Sequence, residues 1–420
     1  MLKFLKWFFG LFSPYVHPFE RKVDKFFKHI KSSSSFADVK RGLLALMQEN
    51  LIITNVWMEK KYKGYKYLDK KTRRKMYLDS EMIVKKFQEH CAANIVDASR
   101  LRRDLTAQGL PFPNGDSKMI CYIAQIMSFL KPGLYYNYIQ TASFGKLLRD
   151  PNVAKLEGDC NQIVTLYAYL VSLRFSLEKL QIKLLPEHVC LHFRGVDIEA
   201  TNATFQRYED DTQILPITEI ISTNLLDLLD FREAVQSISP RVMVKSSQLA
   251  YAISSLKPLV AKNLNIAYRN LAISAMNAHH FETAIFFFSK TDDRKLLLSA
   301  CKNATAYYLD RHDFSKAMFY ASKSADRELE KMVRHNEGVY YFNNGNINKA
   351  LSIFQSLGDL KMIKACYGRQ YNELVKEVST VRTLDDAKKH KSVYKKMLLI
   401  AQKMGDSTLE RSVRDTLSKI

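Results

Sequence analysis

Residues 156–164 read Leu156-Glu157-Gly158-Asp159-Cys160-Asn161-Gln162-Ile163-Val164, and the fold is read outward from this stretch. An aspartate followed three residues later by a glutamine, just ahead of an apolar run, marks a helix N-terminus. Asp159 is the cap and Gln162 completes a capping box. Gly158 permits a sharp turn into the helix. Cys160 then falls at the first helical position, where unsatisfied N–H groups and the positive end of the helix dipole favour a thiolate. The same first turn, Asp159, Asn161 and Gln162 around the thiol, offers N–H groups that can stabilise a developing oxyanion. The helix beyond carries Ile163, Val164, Leu166, Tyr167, Leu170, Val171 and Leu173. It is apolar on nearly all sides, which predicts a central, buried helix.

A nucleophilic thiol needs a base, and the chain supplies candidates shortly afterwards. Residues 182–201 read Ile182-Lys183-Leu184-Leu185-Pro186-Glu187-His188-Val189-Cys190-Leu191-His192-Phe193-Arg194-Gly195-Val196-Asp197-Ile198-Glu199-Ala200-Thr201. Two β-rich runs flank Arg194-Gly195, which predicts a tight hairpin. Pairing Phe193 with Val196 puts His188, Cys190, His192, Asp197, Glu199 and Thr201 on one face. His188 then lies diagonal to Glu199, and His192 lies opposite Asp197. Either pair can supply an imidazole oriented by a carboxylate.

Gly-Asp-Cys at a helix start, a histidine opening a strand, and an acidic residue followed by x-Thr resemble the transglutaminase-like cysteine enzymes of the papain-type superfamily. Their pattern is Gly-x-Cys, His-x-Trp and Asp-Pro-Thr. The resemblance covers about residues 140–205 and implies roles: Cys160 the nucleophile, His188 the base, and Glu199 of Glu199-Ala200-Thr201 in place of the usual Asp. Cys190 stands where the family pattern has Trp, and the Cys-to-His spacing is short. His192 and Asp197 are then left as a structural pair on the sheet, and Cys190 as a strand residue. Bacterial members of the family that carry tetratricopeptide repeats after such a core are similar in layout.

The C-terminal part carries such a repeat. Three segments superpose without gaps at a spacing of 33 residues: Asn270, Asn303 and Asn336; Phe281, Phe314 and Ile347; Ala284, Ala317 and Ala350; Ile285, Met318 and Leu351; Asp293, Asp326 and Asp359. A small residue at one fixed site lets paired helices approach closely, and His279-His280, His312-Asp313 and Gly345-Asn346 mark the turns. The pattern resembles tetratricopeptide-type units, which stack because one helical hairpin cannot bury its own apolar face. Beyond Tyr371 the register fades into capping helices up to Ile420.

Ahead of the cysteine the pattern is helical. Residues 18–49 read as two helices split by a serine spacer at 32–35. Helical periodicity follows at 80–105 and 117–130, broken by Pro111, Pro113 and Gly115. Residues 60–75 hold nine Lys or Arg against Asp69 alone, with Tyr62, Tyr65 and Tyr67 interleaved. Such a cluster suits anionic lipid or single-stranded nucleic acid, or is a solvated face. No nucleic-acid-binding motif accompanies it, so nucleic acid is not the expected partner. Residues 1–12 are strongly apolar but too short to cross a bilayer and lack a small-x-small cleavage site. Lys3 and Lys6 beside Trp7 suit a helix lying in a membrane surface, or one packed on the protein's own body.

With 420 residues and 47% hydrophobic content the chain is globular and long enough for more than one domain. A formal charge of +21 points to acidic partners without choosing among them. The six cysteines, at 91, 121, 160, 190, 301 and 366, form no CxxC pair and no zinc-like cluster. They are expected as free thiols in a reducing, cytoplasmic compartment, with no metal and no cofactor.

The expected architecture is α+β and mostly α. It comprises an apolar segment at 1–15, a helical region at 16–132, a papain/transglutaminase-like core at 133–240, an α-solenoid of repeats at 262–371 and capping helices at 372–420. The expected activity is acyl transfer through Cys160 on a protein or peptide substrate, as a protease, an amidase or a transamidase, with the repeats binding a protein partner. A peripheral contact with an anionic membrane through residues 1–12 and 60–75 is the accompanying expectation. The contrasting expectation is a scaffold that keeps the fold and does no chemistry.

Overall fold

Side-chain caps set several of the helix starts in the N-terminal part, His17, Asp69, Asp97 and Asp159 among them. The computed structural model describes residues 13–30, 34–141, 143–209, 213–227 and 238–420. Residues 1–12, read above as a membrane-surface segment, lie outside the described residues. The chain divides into two units, Met1–Leu271 and Ala272–Ile420.

In the first unit, α1 (Pro18–His29) starts on a proline, with the His17 ring accepting the N–H of Phe19. Helix α2 (Phe36–Met58) bends at Asn50, whose backbone leaves the helical region while its side chain accepts the N–H of Ile53 at 2.8 Å. Its second half, from Leu51 to Met58, is wholly buried. Helix α3 (Lys70–Ala93) is capped by Asp69, and α4 (Ala98–Ala107) by Asp97, which accepts the N–H of Arg100 at 2.6 Å. The periodicity read as one helix over 80–105 is therefore two helices, because Asp97 caps a second start that apolar spacing alone does not register. Helix α5 (Ser117–Phe129) follows.

Strand β1 (Tyr136–Tyr138) pairs in parallel with β2 (Leu156–Gly158), with the short α6 (Phe144–Leu147) between them. Then come α7 (Cys160–Ser172) and the strands β3 (Gln181–Leu185), β4 (His188–Phe193), β5 (Val196–Glu199), β6 (Thr204–Gln206) and β7 (Gln213–Pro216). These five form one antiparallel sheet in the order β6-β5-β4-β3-β7. Helices α8 (Glu219–Leu226), α9 (Pro240–Ile253) and α10 (Lys257–Asn277) follow the sheet, α10 running past Leu271. A single apolar cluster joins Val23, Leu43, Leu51, Ile123, Ile163 and Ile198. The N-terminal helices thus share one core with the sheet and hold α7 from behind.

The basic run at 60–75 is not one continuous surface. Arg73 is buried, donating to Glu20 at 2.8 Å and to the carbonyls of Leu68 and Pro14 at 2.6 and 2.7 Å, with its guanidinium over the Trp57 ring. Lys63 is buried 3.8 Å from Glu59. Tyr65 is buried too, so its ring is not offered for base stacking.

In the second unit the 33-residue spacing becomes a succession of helical hairpins: α11 (Phe281–Phe288), α12 (Arg294–Asp310), α13 (Phe314–Lys323), α14 (Arg327–Asn343), α15 (Ile347–Leu357) and α16 (Leu360–Glu377). Asp293, Asp326 and Asp359 each cap a helix, accepting the N–H of Leu296, Leu329 and Met362 at 3.1 to 3.3 Å. Ala284, Ala317 and Ala350 are fully buried at the seams. The turn position takes a left-handed backbone in all three copies, with φ of 57° at His279, 56° at His312 and 78° at Gly345. Past Tyr371 the hairpins continue as α17 (Leu384–Lys389), α18 (Lys391–Met404) and α19 (Ser407–Lys419), around Met397, Ala401 and Val413. Among the described residues no helix is long and apolar enough to cross a membrane. All six cysteines are free thiols.

Candidate active site

The start of α7 is built as its residues dictate. The Asp159 carboxylate accepts the N–H of Asn161 at 2.9 Å and of Gln162 at 3.4 Å, and the Gln162 side-chain oxygen accepts the N–H of Asp159 at 3.0 Å. Those bonds occupy the N–H groups of Asn161 and Gln162. The N–H of Cys160, at the first helical position, has no carbonyl one turn back to receive it and is the one left for an oxyanion. Gly158 is tight for space and has no positive φ. A Cβ there would sit 3.1 Å from both Gln162 Cβ and Leu147 Cδ1. The Tyr136 hydroxyl donates to the Gly158 carbonyl at 2.8 Å, and the side-chain amides of Asn161 and Gln162 both donate to Asp227, at 3.3 and 3.2 Å. Behind this first turn Ile163, Val164, Leu166, Leu170 and Val171 are fully buried, so the cysteine rides on a rigid element while its own side chain stays partly exposed.

The two hairpins of the sheet bring the histidines into place. Leu185 pairs with His188 across a two-residue turn, Pro186-Glu187, with Glu187 at φ 54°. Phe193 pairs with Val196, and both Arg194 and Gly195 have positive φ, as a tight hairpin whose twist matches its strands requires. This is the register read from the sequence. It aligns His192 with Asp197 and sets His188 diagonal to Glu199.

His188 Nε2 lies 2.6 Å from Glu199 Oε2, and the Cys160 side chain is near enough to act on the protonation of the ring. With Nε2 on the carboxylate, Nδ1 is the nitrogen left for the sulfur. The His188 pKa is pushed up to about 10, first by the Cys160 side chain and then by the Glu199 bond, against the opposing effect of burial. Burial works against the Glu199 carboxylate, yet its bonds from His188, Thr201 and Tyr208 hold its pKa below the ordinary value. Its Oε1 accepts the Thr201 N–H at 3.1 Å and hydroxyl at 2.6 Å, and its Oε2 also accepts the Tyr208 hydroxyl at 2.8 Å. A charged carboxylate held at both oxygens can orient the imidazole and stabilise its protonated form.

The second pair is spent on structure. His192 Nδ1 lies 2.6 Å from Asp197 Oδ1, while His192 Nε2 accepts the Gly195 N–H at 3.3 Å. Asp197 Oδ2 accepts the buried Lys183 ammonium at 2.9 Å and the Tyr208 N–H at 2.8 Å. Burial is the main cause that raises the Cys190 thiol pKa, and this strand residue stays a thiol. Sequence reasoning missed Lys183, Tyr208 and Asp227. Lys183 was within reach of the β register, since it pairs with Cys190. Tyr208 and Asp227 carry no local pattern that would have named them. Among the described residues no group of side chains is arranged to hold a metal ion.

Neither protein-family models nor curated proteins give a match to this sequence.

Proposed function

We propose that this chain is a transglutaminase-like thiol enzyme of acyl transfer, with Cys160 as nucleophile, His188 as base and Glu199 as the group that orients it. The observation carrying this reading is the His188 ring, bonded to a fully hydrogen-bonded carboxylate and close enough to the Cys160 side chain for the thiol to raise its pKa. In the reaction the Cys160 thiolate attacks an amide or ester carbonyl carbon, and the oxyanion is met by the Cys160 N–H at the positive end of α7. The His188 imidazolium gives its proton to the leaving amine or alkoxide, leaving a thioester. Water or an amine then attacks the thioester, His188 takes the incoming proton, and the thiolate is released. Water as acceptor makes the activity a protease or amidase, and an amine makes it a transamidase. The helical hairpins of the C-terminal unit, similar to tetratricopeptide repeats, are assigned to a protein partner. Their support is the in-register burial of Ala284, Ala317 and Ala350 and the capping of successive helices by Asp293, Asp326 and Asp359.

Alkylation of Cys160 by iodoacetamide, followed by mass spectrometry across pH, tests the reading. An ordinary thiol of pKa about 8.5 is about 1% thiolate at pH 6.5. Replacing His188 with Ala is therefore expected to lower the labelling rate there by up to about 100-fold. A wild-type profile that already follows an ordinary thiol, or that is unchanged in His188→Ala, would sink the enzyme reading.

A further inference from the structure

Helices α11 and α13 hold the same place in successive hairpins and meet through the rings of Phe281 and Tyr320, 6.2 Å apart. Each buries one side: Ala284, Ile285 and Phe288 in the first, Ala317, Tyr320 and Ala321 in the second. The outward side carries an aromatic ring in both. Phe286 is 54% exposed, and Phe319, at the 33-residue spacing, is 49% exposed. Four residues further on, Lys290 and Lys323 place their ammonium groups over these rings, 5.3 and 4.5 Å from the centroids. The ring of the next residue, Phe287 or Tyr320, meets each exposed Phe edge-on at 5.1 Å.

Single exposed apolar side chains are ordinary on a protein surface, but this arrangement is built twice. Neither Lys290 nor Lys323 pairs with a carboxylate among the described residues, whereas Lys316 is held by Asp313 at 3.1 Å. Glu282, the acid on the outward side of α11, stands eight residues before Lys290. The third hairpin has Ser352 and Ser356 at the equivalent positions of α15, which confines the surface to two hairpins. Rings already held by their neighbours lose little freedom when a ligand lands on them. Each is a half-exposed ring beside a positive charge that no acidic side chain answers, in a chain of net charge +21. The complementary unit is an apolar side chain next to a carboxylate.

We propose that the outward side of α11 and α13 docks an acidic, extended segment of a partner protein, in which a carboxylate and an apolar side chain recur every third residue. Packed helices lie about 8–10 Å apart, and a polyproline-type chain rises about 3.1 Å per residue, so three residues step from one ring to the next. The apolar side chains rest on Phe286 and Phe319, and the carboxylates meet Lys290 and Lys323. This docking rests on the assignment of the hairpins to a protein partner made above, and it is independent of Cys160.

Fluorescence anisotropy of the full chain at fixed ionic strength, with labelled peptides of four Glu-Leu-Pro, four Gln-Leu-Pro or four Glu-Gly-Pro units, tests it. The Glu-Leu-Pro peptide is expected to bind saturably and about tenfold more tightly than the other two. Phe286→Ala/Phe319→Ala should weaken it by about tenfold, and Lys290→Gln/Lys323→Gln should bring it level with Gln-Leu-Pro. All four positions are exposed, and urea denaturation checks that the variants keep the fold. No saturable binding of Glu-Leu-Pro, or equally tight binding of Glu-Gly-Pro (the mark of diffuse attraction to a basic chain), would overturn the proposal. Phosphatidylserine vesicles bound by wild type and lost in the same variants, with no peptide bound, would give the face to a lipid surface and overturn it too. Glu-Leu-Pro bound at wild-type strength in both variants would overturn this face while leaving the hairpins a peptide-binding unit.

Discussion

His188–Glu199 and His192–Asp197 are the same chemical pair, set on the same sheet face and joined by the same 2.6 Å contact. Their neighbours make them different. His192 spends its second nitrogen on the Gly195 N–H, and Asp197 is neutralised by the buried Lys183. His188 instead turns toward Cys160, and Glu199 is held by neutral donors, Thr201 and Tyr208, that leave its charge for the imidazole. A histidine–carboxylate pair is therefore no signal of catalysis by itself. What matters is where the second nitrogen points and whether a cation already answers the carboxylate. Tyr208 touches both pairs, its N–H on Asp197 and its hydroxyl on Glu199.

The comparison can be broken from either side. The largest effect is expected at the structural pair. Asp197→Asn leaves the Lys183 ammonium buried without its counter-charge, and removing one partner of a buried ion pair costs about 3–5 kcal/mol. Urea denaturation should show that loss, while Cys160 in the folded fraction keeps its alkylation profile. Equal damage to the alkylation profile would mean that the two pairs act as one unit.

Tyr208→Phe is expected to act on the other pair, and less strongly. It removes one hydrogen bond to Glu199 and keeps the backbone N–H on Asp197. The loss of about 1 kcal/mol corresponds to roughly fivefold. It should appear as a lowered Cys160 labelling rate near neutral pH, with labelling of denatured protein unchanged. A rate equal to wild type would remove Tyr208 from the positioning of Glu199.

The pH dependence of stability reads the His188 side of the comparison directly. The folded-state pKa of His188, about 10, lies above the ordinary 6.5. The stabilisation it brings is fully present below about pH 6.5 and is lost as the pH rises toward 10. Wild type should therefore lose more stability than His188→Gln between pH 7 and pH 10, as read by chemical denaturation at a series of pH values. Parallel curves for the two proteins would show that His188 is not held in its protonated form by the fold.

Much of this site was legible because its signals are local. A capping box needs only Asp159 and Gln162 at a fixed spacing, and the Arg194-Gly195 turn fixes which strand residues share a face. The 33-residue period was equally plain, since each copy repeats the same small residue at the seam and the same aspartate at the cap. The break ahead of α4 was hidden because apolar spacing continues past it. The burial of Arg73, Lys63 and Tyr65 was hidden because a run of charges reads as surface until the fold packs it inward and brings Glu20 to Arg73 from α1.

By itself, then, the sequence determined a thiol at a capped helix start, a hairpin with two acid-paired histidines, and a C-terminal run of repeated helical hairpins. The first two follow from hydrogen bonds and side-chain periodicities within a few residues of one another, and the third from a period of 33 residues. The resemblance named His188 and Glu199, and only the tertiary structure brought Tyr208 and Lys183 to the two pairs and Asp227 to the start of α7. Those contacts depend on which groups meet after α7 packs on the sheet, and an interior that excludes water makes each such meeting decide a charge.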